Sequence, residues 1–143
     1  QDRDMAGLLA EFLRQSAGTA SAWGRVDCYW WTVGWLERRL GRRFADGLRA
    51  KYFGRYRTAA GCERVVRRAG GIEAVAAELA AAAGLPECGD VAGASPGDMV
   101  LVRRDDGVPV IGVSVGGGRS AVRRWPSGIA VVRRPVVRAW SVA

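Results

Sequence analysis

The chain has no histidine in its 143 residues. Without an imidazole, the ordinary cysteine-histidine and serine-histidine-aspartate hydrolase arrangements have no general base. Histidine-containing zinc sites are excluded by the same absence. The cysteines, Cys28, Cys62 and Cys88, are odd in number and widely spaced. No Cys-x-x-Cys pair occurs, so neither a disulfide framework nor a metal site is expected. Long apolar runs are missing too: the most apolar window, Ala74 to Ala83, contains Glu78 and falls short of the ~20 residues that cross a bilayer. Residues Gln1-Asp2-Arg3-Asp4 lack the basic start and apolar centre of a secretory signal. The expectation is a soluble chain made in the cytoplasm, without a membrane partner. Lysine is nearly absent: of 22 basic residues only Lys51 is lysine. Beside abundant alanine and glycine, this matches the codon bias of a GC-rich genome, so part of the basicity is compositional.

What is present describes one globular domain over residues 1–143. Hydrophobic residues make up 49% of the chain, charged residues 25%, and there are six tryptophans. That balance can fill a core. The net charge of +8 and pI near 10.6 favour anionic partners. The arginines lie in scattered doublets (Arg38-Arg39, Arg42-Arg43, Arg67-Arg68, Arg103-Arg104, Arg123-Arg124, Arg133-Arg134), whereas nucleic-acid sites usually gather them on one element. Nucleic acid is therefore not expected as a partner, and a nucleic-acid-binding domain stays the weaker alternative.

Periodicity changes midway. Met5, Leu8, Leu9, Phe12 and Leu13 form one stripe of a helix from about Asp4 to Ala17. A second helix is predicted from an Asp27 cap to Leu40, stopped by Gly41. Its aromatic and aliphatic residues cover most of its circumference, which marks it as central and buried, with Glu37, Arg38 and Arg39 reaching water. Thr58 caps a third helix ended by Gly70-Gly71, and Ile72 to Ala83 forms a fourth. A Gly/Pro-rich connection, Gly84 to Gly97, leads to short β-branched runs at Met99–Val102, Val108–Val115, Ser120–Arg124, Ile129–Val132 and Val136–Trp140. Helices (about 4–84) followed by a strand meander (about 97–141) predict an α+β domain, N-terminal helices packed on one face of a C-terminal antiparallel sheet.

Two segments carry a resemblance: Trp23-Gly24-Arg25-Val26-Asp27-Cys28, entering the second helix, and Gly97-Asp98-Met99-Val100, opening the first strand. Together they are similar to the NlpC/P60 family of papain-like cysteine peptidases and amidases. In that family a Trp-Gly turn leads to Asp-Cys at a helix start, and a Gly-Asp strand precedes a strand beginning His-Val-Gly. A helix N-terminus favours the thiolate and a facing histidine serves as base. On this alignment Val110, in Val110-Ile111-Gly112, takes the histidine's place, and Ser120 takes that of the polar residue that orients it. In length and running order, from about Ala6 to Trp140, the chain resembles more closely the short NlpC/P60-like proteins encoded among phage and prophage tail genes.

The resemblance implies Cys28, Asp27, Val110 and Ser120 as a vestigial catalytic set. Read from the residues alone, Cys28, Cys62 and Cys88 are small buried hydrophobes. Asp27 is a helix cap, Asp98 satisfies turn amides, Trp23, Trp30, Trp31 and Trp35 are core, and Gly116-Gly117-Gly118 is a hairpin turn. Arg103, Arg104, Arg123, Arg124, Arg133 and Arg134 are the candidate partner contacts, because each strand doublet can turn one guanidinium outward. The expected function is a tail-tip or tail-assembly component that meets hub, tape-measure and tip proteins in the virion, after assembly in the host cytoplasm. No cofactor and no metal are expected. The enzyme alternative is a peptidoglycan amidase or peptidase using Cys28 with a non-standard base, supplied for instance by a neighbouring subunit.

Overall fold

The computed structural model describes residues 2–143. Five helices, α1 (Asp2–Ala17), α2 (Cys28–Leu40), α3 (Asp46–Tyr52), α4 (Ala59–Arg68) and α5 (Ile72–Ala83), precede five strands. The strands are β1 (Met99–Arg103), β2 (Pro109–Gly116), β3 (Arg119–Arg123), β4 (Ile129–Val132) and β5 (Val136–Trp140). They form one antiparallel sheet in the order β4-β3-β2-β1-β5. The architecture is α+β, with α2 lying centrally between α1, α5 and the sheet.

α2 begins where the Asp27 carboxylate accepts the Trp30 N–H and ends where Gly41 adopts φ 67°, a left-handed stop. Trp35 and Leu36 are fully buried, each contributing on the order of 2–3 kcal/mol of burial free energy. Phe12 of α1 stacks on Trp31, with ring centroids 5.4 Å apart. The indole N–H of Trp35 donates to the Gly97 carbonyl at 2.8 Å, tying the helical block to the turn before β1.

α3 has no counterpart among the predicted helices. Ala45 precedes it without a side-chain cap; instead Glu37 accepts the Phe44 and Ala45 N–H groups, each at 3.1 Å, and pairs with Arg49 at 2.5 Å. Glu37 thus turns inward from α2 to organise the next element, where the sequence reading had it reaching water.

The meander expectation holds for β1 to β4 and fails at β5, which returns to pair with β1. The connection from β4 to β5 is only Arg133-Arg134-Pro135. A flat sheet would separate these outer strands by four spacings of ~4.8 Å, about 19 Å, whereas the step from Val132 to Val136 reaches at most ~14 Å. The sheet therefore curls. Val132 on one edge accordingly shares a second small core with Val100, Val102, Ala139 and Val136. β1 is buried on both faces, which explains why Met99-Val100-Leu101-Val102 is a continuous apolar run without alternation.

Candidate functional site

Each residue of the Trp-Gly-x-x-Asp-Cys segment has an assignable physical task. Gly24 sits at φ 82°, and a Cβ there would lie 2.3 Å from the Tyr56 carbonyl oxygen; only glycine fits. This close approach brings Tyr56 beside Asp27. The Asp27 carboxylate, 2% exposed, accepts from the Trp30 N–H at 3.0 Å, the Gly24 N–H at 2.9 Å and the Tyr56 hydroxyl at 2.7 Å. It is a cap and a hub for the turn. Asp98 plays the matching role before β1: it accepts from the Ser95 N–H at 2.8 Å and, less foreseeably, from the Val142 N–H at 3.1 Å.

Cys28 opens α2 and points at β2. Its thiol lines a small cavity with Tyr29, Tyr52, Tyr56, Cys62 and Ile111. Burial pushes this thiol up from an ordinary value of 9.0 to about 12, and the negative charge of Asp27 adds to the effect. The Ile111 and Tyr29 N–H groups favour the thiolate, yet desolvation wins over them and over the helix N-terminus. Cys62, in the first turn of α4, is raised to about 11, chiefly by burial and then by Asp27. Burial and the Asp27 charge also raise the Tyr56 phenol. Among the described residues, the thiols and phenols lining this cavity are all raised, so they stay protonated at neutral pH.

The cavity volume is about 40 Å³. That has room for one or a few waters, each needing at least ~10–15 Å³. The Tyr29 hydroxyl is buried there without a protein partner among the described residues, so a water is its natural complement. Trp23 lines the same cavity and stacks on Trp125 at 4.3 Å; Trp125 is 41% exposed. Trp23 therefore belongs to a surface aromatic pair, unlike the buried Trp30, Trp31 and Trp35, because it stands in the turn before the helix and not on its buried face.

The vestigial set does not assemble. Strand alternation turns neighbouring side chains to opposite faces, and the β2 residue facing Cys28 is Ile111. Val110 points into the curl with Val100 and Val102. Ser120, 1% exposed, lies opposite Ser114 on β2, beside Val91 and Ala94. Cys28 and Asp27 are adjacent; Val110 and Ser120 are on the far side of the sheet from them, and they are not neighbours of each other.

The arginine candidates also divide. Arg123 is 6% exposed and folds back onto α1, donating to the Ser16 and Thr19 carbonyls and the Ser21 hydroxyl. It seals the end of α1 and is not an outward contact. Arg104 and Arg134 pair with Asp106 and Asp105. Arg103 and Arg133 donate to the Gly107 and Gly117 carbonyls. Arg124 alone of the six is exposed with no hydrogen bond or ion pair to its guanidinium among the described residues.

Among the described residues no group of three or more histidine, cysteine, aspartate or glutamate side chains could hold a metal ion, and no helix is long and apolar enough to cross a membrane. A family model matches residues 2–142, nearly the whole chain. The chain belongs to that family, a domain of unknown function (DUF6950). No curated protein and no solved structure matches it. Membership spans helices and sheet alike, so the Cys28 cavity and the curl both lie within the family's matched region.

Proposed function

We propose that the chain is a non-hydrolytic structural component of a bacteriophage or prophage tail, acting at the tip or in its assembly and built on an NlpC/P60-like scaffold. The state of Cys28 carries the non-hydrolytic part. Its thiol is raised to about 12, faces Ile111 where a base would be needed, and opens on a narrow cavity of about 40 Å³. A nucleophile must be both ionised and reachable. The raised thiol fails the first condition, and the narrowness of the pocket restricts the second. The glycines and aspartates around it hold the turn and the helix start, so the segment's retention is accounted for by architecture. The tail placement rests on the resemblance to phage-encoded proteins from about Ala6 to Trp140.

The test is complementation of a tail-gene deletion with a Cys28→Ala variant, alongside incubation of purified protein with cell-wall peptides. Normal particle yield and no cleavage are expected. Enzyme-like cleavage that disappears in Cys28→Ala would overturn the proposal and establish the hydrolase alternative.

A further inference from the structure

The distribution of charge over the surface is uneven. Residues 51–69 hold six cations (Lys51, Arg55, Arg57, Arg64, Arg67 and Arg68) and one carboxylate, Glu63, a net +5 of the chain's +8. The sequence doublets hid this concentration, because only one of them, Arg67-Arg68, falls inside it. All six cations are exposed. Lys51 pairs with Glu78 and Arg55 donates to the Ala50 carbonyl. Among the described residues no carboxylate pairs with Arg55, Arg57, Arg64, Arg67 or Arg68. Arg64 stands three and four residues before Arg67 and Arg68, spacings at which like charges on a helix repel. Placement in the last turn of α4 favours Arg67 and Arg68 through the helix dipole, and does nothing for Arg55, Arg57 or Arg64.

Three of these cations border a groove between α3 and α4. Its floor is Tyr52, Val65 and Ala69, and its rim is Lys51, Arg55 and Arg68. Arg64 continues the α4 side of the rim one turn earlier. A purely ionic partner has no use for an apolar floor, and a purely apolar one would be met by unpaired guanidiniums. We infer that this groove docks an acidic peptide segment of a partner protein, anchored by apolar side chains on Val65 and Ala69 and held by carboxylates along the two rims. The inference goes beyond the non-hydrolytic reading and does not depend on Cys28.

The probe is a fluorescein-labelled peptide of repeating leucine and glutamate, titrated into the full-length protein by anisotropy, with oligoglutamate and oligothymidylate of equal length as comparators. The leucine-glutamate peptide should bind more tightly than oligoglutamate and lose affinity as salt is raised. The Arg64→Glu, Arg68→Glu double variant should weaken it about tenfold or more. The gentler Arg64→Gln, Arg68→Gln pair should give a smaller loss, and the Arg119→Glu, Arg124→Glu pair, on and just past β3, none. Thermal unfolding of each variant checks that the fold persists. The inference fails if the leucine-glutamate peptide does not bind, if oligoglutamate binds equally well, if the α4 variants match the parent, or if oligothymidylate binds as tightly through the same arginines, which would assign the groove to nucleic acid. A hydrolytically active Cys28 leaves this result untouched, so the two proposals fail separately.

Discussion

The sharpest consequence of the Cys28 environment is a rate. With the thiol raised from 9.0 to about 12, the thiolate fraction at neutral pH falls about a thousandfold. The more basic thiolate is intrinsically more reactive, and a Brønsted slope of ~0.4–0.5 recovers about twentyfold. Alkylation of Cys28 should therefore run about fiftyfold slower than that of an unperturbed thiol on ionisation grounds alone, and slower again because the half-buried sulfur lies in a narrow pocket. The assay is iodoacetamide labelling of the native protein, quantified per cysteine by mass spectrometry across pH, with urea-unfolded chain as the reference. Cys28 should be the slowest of the three, and its rate should keep climbing with pH beyond the point at which the unfolded chain levels off. The linkage has a matching sign: a thiol raised by folding lends stability that is complete below about pH 9 and is lost as pH rises toward 12. Asp27→Asn, which removes the second-largest cause of the shift, should speed Cys28 labelling. If Cys28 is instead labelled first, at a rate flat between about pH 6 and 8, an activated thiolate exists and the reasoning is refuted.

Three further outcomes follow from the geometry. Ile111→His, on the side of β2 that faces Cys28, should accelerate its alkylation near neutral pH, whereas Val110→His, pointing into the curl, should not; the reverse order would show that the strand register is wrong. Gly24→Ala places a Cβ 2.3 Å from a backbone oxygen at φ 82° and should cost more than about 2 kcal/mol in chemical denaturation; a near-neutral result would mean the turn relaxes freely. Arg123→Met strips three hydrogen bonds from the end of α1 and should cost about 2–3 kcal/mol, since donors that carry charge contribute more than neutral ones; equal midpoints for variant and parent would remove its sealing role.

Local signals made most of the elements readable. Asp27 and Thr58 cap their helices through their own following amides, and Gly41 and Gly84 stop α2 and α5 in left-handed conformations, all within a few residues of sequence. α3 was missed because its start is organised by Glu37, seven and eight residues back on another helix. The curl was missed for a related reason: its cause is the short link at Arg133–Pro135 combined with a strand order that the sequence does not announce. The resemblance matches Val110 to the histidine position, while the β2 side chain on the Cys28 side is its neighbour Ile111. In a strand a single residue exchanges the two faces. The arginine doublets misled in a similar way, since adjacency in sequence said nothing of Arg123 turning inward or of the dense, partly unpaired set on α4 and its approach.

The return of β5 to β1 has a consequence for synthesis. Helices and strands up to Val132 emerge from the ribosome before the segment that covers Val100 and Val102, and Asp98 waits for the Val142 amide. A nascent chain halted after β4 would display a row of bare valines, a natural target for chaperones, until residues 136–142 arrive to shut the roll.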